Sequence, residues 1–326
     1  MIFRRTFALI AAASLGAVLL PADAQSPAYP SKPIRIVVPF VPGGPVDVMA
    51  RLLGEQMTKS MNATVVVENR PGAGGNIGSA FVAKAPADGY TLLLATGSIL
   101  TINEALYPRL GFDPAKDFAA VSLLGDMPLL IVTNPHVPVK NVKELVEWTI
   151  KRGEPLTLSS PGSGTTPHLA AELFKREAGI PIIHVPYKGG AESATAIISS
   201  QVNGGIETPP SVLPHVQAGR IRALAVAGPS RLPAIPDVPT TAEIGFPDVQ
   251  IVSWFGLVAP AGTPADIVQK LNGEVASALN STDVRERFEK LAIRPSGSTS
   301  AEMTRFAQQE RAKWSKVVRD AGIRLE

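Results

Sequence analysis

The chain has 326 residues, a formal net charge of +3 at pH 7 and no cysteine. Its length suggests two domains of ordinary size, and the absence of cysteine excludes disulfides, thiolate metal sites and a lipid-modified N-terminal cysteine. Charges of both signs are interspersed and no basic, aromatic-rich run is present, so the composition argues against a nucleic acid partner.

Residues 1–24 have the pattern of a secretory signal. Arg4 and Arg5 precede an apolar run over residues 7–20, and the tripeptide Ala-Asp-Ala at 22–24 matches a signal peptidase site. The run is too short for a comfortable membrane span, and no later stretch reaches the ~18 apolar residues that a span needs. We therefore predict a signal peptide over residues 1–24 and an exported protein that is soluble in the periplasm. A retained N-terminal anchor and export by the twin-arginine route both remain open.

After residue 33, short apolar runs alternate with segments of helical period. The segment 46–57 has apolar residues at 46, 49, 50, 53 and 57, which form one face of a helix. Asn141 with Glu144 predicts a capping box, and Gly153 predicts the end of that helix. The predicted strands cover residues 34–40, 64–68, 91–95, 128–133, 156–159, 182–186, 221–227 and 254–259. Further helices are predicted over 77–85 and after the strands ending at 159 and 186.

Two more helices are predicted at the end of the chain, one from about residue 264 and one that starts with the capping box of Thr299 and Glu302. Because strands alternate with helices, we expect mostly parallel α/β sheets. No Gly/Ser linker separates the two halves, so any lobes would be joined by ordered strands.

Four turns share one design, in which a strand ends, a turn rich in glycine or hydroxyl residues follows and a helix begins. They are residues 40–47, 96–98, 159–168 and 187–190. A helix N-terminus presents unpaired backbone N–H groups and the positive end of its dipole, and glycine lets an anion come close. In open α/β sheets, ligands bind beyond the carboxyl ends of the strands, where these turns lie.

These turns predict a carboxylate site. The candidate ligand-binding residues are Phe40, Val41, Gly43, Gly44, Asp47, Thr96, Gly97, Ser98, Ser160, Gly162, Ser163, Gly164, Thr165, His168, Tyr187 and Gly189. Within residues 40–48 there is no basic side chain, so we expect the backbone at Gly43 and Gly44 to hold the carboxylate, with Lys188 as the rival anchor. Asp47 would repel an anion, and we expect it to order the loop instead.

Enzyme and metal signatures are weak. The glycine-rich segment 72–78 has the spacing G-x-G-x-x-x-G, which does not match a dinucleotide-binding turn, and neither a P-loop nor a G-x-S-x-G elbow is present. His136, His168, His184 and His215 lack the spacing of zinc ligands. The sequence therefore predicts no cofactor, no metal and no catalytic group.

Several motifs together resemble a known family. In order, they are PGG-x-x-D at 42–47, VENRPGAGGN at 67–76, PADGYTL at 86–92, HVPYKG at 184–189 and WFGL at 254–257. Over essentially the whole chain after the signal, this pattern is similar to that of Bug-type solute receptors of tripartite tricarboxylate transporters. The resemblance implies a type II periplasmic binding protein with two α/β lobes joined by two hinge strands. Lobe 1 would combine residues 25–126 with 251–326, and lobe 2 would be 127–250.

The resemblance also implies a function. Such a receptor captures a small carboxylate, largely through backbone amides and ordered waters of the turn at 40–47, and delivers it to membrane components of the transporter. Pro45 departs from the Ser or Thr common in the family, and Glu207 is the candidate replacement for an aspartate usually found nearby. We expect a monomer that is not an enzyme. A sensory partnership with a membrane kinase and an enzyme acting on carboxylates stay open, as does the identity of the ligand.

Overall fold

A computed structural model describes residues 29–320 and residue 322, so the predicted signal peptide lies outside the described residues. The strands are β1 Ile34–Val38, β2 Val65–Asn69, β3 Thr91–Thr96, β4 Phe118–Thr133, β5 Leu156–Ser160, β6 Ile182–Pro186, β7 Gly204–Glu207, β8 Arg222–Ala227, β9 Val252–Pro260 and β10 Arg294–Pro295. The α-helices are α1 Pro45–Met61, α2 Asn76–Ala83, α3 Gly97–Thr101, α4 Asn103–Leu106, α5 Val142–Arg152, α6 Thr166–Ala178, α7 Gly190–Ile198, α8 Pro209–Gln217, α9 Ala265–Asn280, α10 Thr282–Lys290 and α11 Ser300–Asp320. None of the described helices is long and apolar enough to cross a membrane.

Two sheets share one strand. The first has the order β2-β1-β3-β9-β4, with β10 on the far side of β4. The second has the order β8-β4-β7-β5-β6. Strand β4 belongs to both, because residues 118–128 pair with β9 whereas residues 129–133 pair with β7 and β8. We call the first sheet with its helices lobe 1 and the second sheet with its helices lobe 2. This arrangement confirms the predicted two-lobed α/β fold.

The expectation of mostly parallel sheets is wrong at the centre of the molecule. Strands β1, β2 and β3 pair in parallel, as do β5, β6 and β7, but β4 and β9 form antiparallel pairs. Strand β4 also begins at Phe118, ten positions before the predicted start at Pro128. Residues 118–127 (FAAVSLLGDM) have only short apolar runs, interrupted by Ser122 and followed by Gly125 and Asp126, and their pairing with the distant β9 stabilises them as a strand.

The predicted helix caps are confirmed. The Glu144 N–H donates to Asn141 Oδ1 over 2.9 Å, and Gly153 ends α5 with a φ of 70°. The Thr299 N–H donates to Glu302 Oε2 over 2.8 Å at the start of α11. Three helices rather than two follow β9, because the extended backbone of Ser281 separates α9 from α10. The Ser281 hydroxyl accepts a hydrogen bond from the Val284 N–H at the start of α10.

The C-terminal helix α11 packs against two apolar clusters. Met303, near its start, belongs to a cluster with Leu93 and Trp254 of lobe 1. Trp314 and Val318, near its end, belong to a cluster that joins Ile102 and Leu106 of lobe 1 to the core residues of lobe 2. Amphipathic helices are stabilised mainly by such tertiary packing.

Candidate functional site

A cleft of about 90 Å³ lies between the lobes at the carboxyl ends of the parallel strands. It is large enough for several water molecules in the described conformation. Its lining is Phe40, Val41, Gly44, Pro45, Val46, Thr96, Ser98, Pro161, Thr165, Thr166, Pro167, Lys188, Gly189, Gly190, Thr208, Ser211, Ser253 and Phe255. All four predicted turns therefore contribute to one cleft.

Four helices of at least nine residues begin at this cleft, namely α1, α6, α7 and α8. The dipoles of all four helices favour negative charge. Pro209 and Pro210 leave α8 without an N–H at its first two positions, so the free N–H groups come from α1, α6 and α7. The lining contains no acidic side chain, and Lys188 is the one charged residue among the lining residues that the structure describes. The electrostatics of the cleft therefore suit a small anion.

The turn before α1 is ordered by a buried carboxylate. The Gly43 N–H donates to Asp47 Oδ2 over 2.9 Å, and Arg51 and Asn69 donate to the same carboxyl group. Burial would raise the pKa of Asp47, but the hydrogen bonds from Arg51, Gly43 and Asn69 lower it below its ordinary value. Asp47 and the Gly43 N–H are thus engaged with each other, and Gly44 is the glycine of this turn that lines the cleft.

The turn at 96–98 shows why Gly97 is a glycine. A Cβ on Gly97 would lie 2.3 Å from Trp254 Nε1, so the ring of Trp254 packs directly on its backbone. Thr96 Oγ1 and Ser98 Oγ lie 2.8 Å apart in the cleft lining. The two hydroxyls are therefore oriented by each other, and Gly97 provides the close packing behind them.

Two stacked imidazoles support the turn at 159–168. The His168 and His184 ring centroids lie 3.9 Å apart; Gly164 N–H donates to His168 Nδ1 over 3.2 Å, and Ser160 Oγ lies 2.6 Å from His184 Nε2. Burial lowers the pKa of His168 to about 4. Burial, together with the nearby His168, lowers the pKa of His184 to about 3. Both rings are therefore neutral at pH 7 and shape the turn from behind the lining.

A direct contact joins the lobes beside the cleft. Tyr107, just after α4 in lobe 1, donates its hydroxyl hydrogen bond to the Ser163 carbonyl oxygen in lobe 2 over 3.1 Å. A Cβ on Gly74 or Gly164 would lie 2.8 or 2.6 Å from Tyr107 Oη, so both glycines permit this approach. The glycine-rich segment at 72–78 thus packs at the contact between the lobes.

Glu207 lies behind the lobe 2 wall of the cleft. Its side chain is fully buried, Ser193 Oγ donates to its Oε1, and its Oε2 has no hydrogen-bond partner among the described residues. Burial raises the pKa of Glu207 well above its ordinary value, and the Ser193 hydrogen bond offsets part of that effect. Within the described part of the chain, no group of three or more His, Cys, Asp or Glu side chains could hold a metal ion.

The candidate residues divide into two groups. Those in the cleft lining are Phe40, Val41, Gly44, Thr96, Ser98, Thr165 and Gly189. Those outside the lining, which shape the turns or lie behind them, are Gly43, Asp47, Gly97, Ser160, Gly162, Ser163, Gly164, His168, Tyr187 and Glu207.

Sequence reasoning missed the cleft-lining residues at the start of α8 and on the predicted strand β9. Thr208 and Ser211 repeat the pattern of a strand followed by hydroxyl residues and a helix start, but prolines stand where the other turns have glycine. A search for hydroxyl residues at strand ends would have found them. Ser253 and Phe255 reach the cleft only because β9 crosses between the lobes.

A larger groove of about 820 Å³ lies on the other side of the hinge. Successive side chains of a strand point to opposite faces, and accordingly Val252 lines this groove while Ser253 lines the cleft. Its charges have both signs and include the ion pair between Arg294 and Asp126. The groove has no convergence of helix N-termini, so the smaller cleft is the better candidate for an anion site.

Comparisons with known proteins agree with this geometry. The sequence profile described as "Tripartite tricarboxylate transporter family receptor" matches residues 49–323. Protein BugT of Bordetella pertussis is 37% identical over 306 residues, which cover 94% of each chain.

Solved structures give the same result. An R. palustris protein solved with adipate is 36% identical with a TM-score of 0.87, and covers 91% of this chain and 100% of its own. MatC from Rhodopseudomonas palustris, solved with bound malate, is 33% identical with a TM-score of 0.83, and covers 89% of this chain and 100% of its own. Together with the two-lobed fold and the cleft between its lobes, these matches show that the chain belongs to the receptor family of tripartite tricarboxylate transporters.

Proposed function

We propose that this receptor captures a small carboxylate in the periplasm and delivers it to the membrane components of a tripartite tricarboxylate-type transporter. The observation that carries the proposal is the convergence of four helix N-termini, from both lobes, on one cleft without an acidic side chain. The adipate and malate bound by the two solved relatives support a carboxylate ligand.

The position of each candidate residue determines its proposed role in binding. The lining residues, with Gly44 foremost, contact the ligand through backbone N–H groups and bridging waters. The residues behind the lining, such as Asp47 and His168, hold the turns in shape. Phe40 and Phe255 supply apolar walls for the carbon skeleton of the carboxylate.

Binding without chemistry is part of the proposal. Ser160 and His184 are the serine–histidine contact nearest the cleft, but Ser160 is fully buried and lies outside the lining. A general base works best when its pKa is near the working pH, whereas burial lowers the pKa of His184 to about 3. This pair therefore suits support of a turn better than activation of a nucleophile.

The lobe boundaries and the export signal are proposals of the same kind. The change of partner along β4, from β9 to β7 and β8 after residue 128, supports a boundary near 126/127. The start of β9 at Val252 supports a return to lobe 1 near 250/251. Cleavage after residue 24 would place the receptor, as a monomer, in the periplasm.

A thermal-shift screen tests the function. The protein without residues 1–24 is unfolded and refolded to remove bound ligand, and then melted with adipate, malate, succinate, glutamate or benzoate. A receptor should show a raised melting temperature with at least one of these carboxylates, which should be recovered unchanged. Consumption of the carboxylate would identify an enzyme. If none of the five carboxylates raised the melting temperature, the result would contradict a receptor for carboxylates of these kinds.

A further inference from the structure

Glu207 is a buried acid without a cationic partner. It ends β7, directly before Thr208 of the cleft lining, and its side chain is 0% exposed. No Lys, Arg or His nitrogen of the described residues lies within 4.0 Å of its carboxyl group. Burying an unpaired carboxylate is very costly, and such a group takes up a proton instead.

The elements around β7 offer nothing that would keep Glu207 charged. The neighbouring segments, residues 129–133 of β4 and 156–160 of β5, contain no titratable side chain. Each titratable group on the surrounding helices has a hydrogen-bond or ion-pair partner other than Glu207. These groups are His168, Glu172, Lys175, Arg176 and Glu177 on α6, Glu192 on α7 and His215 on α8.

The free oxygen of Glu207 lies behind the point where two helices begin at the cleft. A Cβ built on Gly190, the first residue of α7, would lie 1.9 Å from Ser211 Oγ and 3.8 Å from Glu207 Oε2. Gly190 and Ser211 both line the cleft, and Ser211 lies in the first turn of α8. A negative charge on Oε2 would therefore oppose the positive field that α7 and α8 offer an anion.

We propose that Glu207 is a positioning residue for anion capture, which as a neutral carboxylic acid holds the starts of α7 and α8 at the cleft and weakens binding when it ionises. Its hydrogen bond with Ser193 holds the first turn of α7, and its Oε2 lies close to Gly190, where the backbone of α7 meets Ser211 of α8. The inference rests on the proposed function, because it concerns the same cleft. Burial raises the pKa of Glu207, so the neutral form persists to higher pH than in an exposed glutamate.

Calorimetric titration of adipate across pH tests the proposal. Malate is the probe if adipate gives no heat with the wild type. Glu207→Gln keeps the shape and the acceptor for Ser193 but cannot ionise, and circular dichroism verifies its fold. As the pH is raised above the range in which an exposed glutamate ionises, the wild-type affinity should fall at least about threefold relative to Glu207→Gln, whose profile lacks this loss. Glu147→Gln, which changes an exposed glutamate on α5, should follow the wild type.

Infrared spectroscopy gives a second readout that needs no ligand. The wild type near neutral pH should show the carbonyl stretch of a protonated carboxylic acid, and Glu207→Gln should lack it. Parallel pH profiles for the wild type and Glu207→Gln, or an unchanged carbonyl band in the variant, would overturn the inference while leaving the proposed function intact. If the wild type binds neither adipate nor malate, the carboxylate that raises the melting temperature most in the screen becomes the probe. If none of the screened carboxylates binds, the proposed function itself is contradicted and this inference falls with it.

Discussion

Gly44 is the residue at which the backbone of α1 is most open to the cleft. Its φ of −76° is ordinary, and an added Cβ would come only within 3.8 Å of the Val41 carbonyl oxygen. The backbone at Gly44 is therefore compatible with a β-branched residue. Gly44→Val should fold normally and obstruct a ligand, with a loss of at least ~1.4 kcal/mol, or about tenfold in affinity. Calorimetric titration with the best carboxylate of the screen measures this loss.

Lys188→Ala is the companion variant, because Lys188 is the charged residue of the described lining. We expect it to weaken binding less than Gly44→Val, since the exposed ammonium is hydrated and screened by salt. Normal binding by Gly44→Val together with abolished binding by Lys188→Ala would show that charge pairing, not the backbone, holds the carboxylate.

At the scale of elements, the start of α6 depends on two neutral histidines. The pKa of His168 is lowered to about 4 by burial, so the unfolded chain takes up a proton near pH 6.5 before the folded chain does. Stability from this group is complete above about pH 6.5 and is lost as the pH falls towards 4. As the pH falls over this range, the wild type should therefore lose about 1–3 kcal/mol more of its free energy of unfolding than His168→Gln does.

Thermal melts between about pH 7 and 4.5 measure this difference, and the range follows from the two pKa values of His168. His136→Gln, which changes an exposed histidine, is the matched control. An equal loss of stability in the wild type and in His168→Gln would mean that His168 is not kept neutral by the fold.

The turns of the two lobes also depend on each other through Tyr107. Tyr107→Phe removes one hydrogen bond, to the Ser163 carbonyl oxygen, and leaves the ring that packs on Gly74 and Gly164. A typical hydrogen bond contributes about 0.5–1.5 kcal/mol, and we expect this one to help hold the lobes closed on a ligand, so affinity should fall about two- to tenfold. An unchanged affinity in calorimetric titration would show that the contact does not contribute to ligand capture.

At the scale of the whole molecule, the end of α11 packs on the apolar cluster that spans the two lobes. Trp314 is 4% exposed and belongs to this cluster, which contains Ile102 of lobe 1 and Leu129 of lobe 2. Trp314→Ala should lower the free energy of unfolding by about 3–5 kcal/mol, as expected for truncation of a buried tryptophan. Urea denaturation measures the change, and Arg305→Ala on the exposed face of α11 is the control. A loss no larger than that of the control would show that the end of α11 contributes little to the fold.

Local interactions determined much of this protein from sequence alone. The capping pairs Asn141–Glu144 and Thr299–Glu302, the helix after Gly44 and the order of strands and helices all depend on residues a few positions apart. The family motifs, which run in order along the chain, were equally readable. The predicted turns at 40–47 and 96–98 lie side by side because the parallel strands β1 and β3 end on the same side of one sheet, and the turns at 159–168 and 187–190 do so after β5 and β6 of the other.

Only the tertiary structure decided the features that join distant residues. The antiparallel pairing of β4 with β9, the reach of Tyr107 to Ser163 and the burial of Glu207 each depend on segments far apart in sequence. A residue's own neighbours in the chain carry no signal of such contacts, because their stability comes from pairing and burial that exist only after the chain has folded. The resemblance pointed to Glu207 as a candidate, but only the fold buries it behind the cleft and thereby raises its pKa.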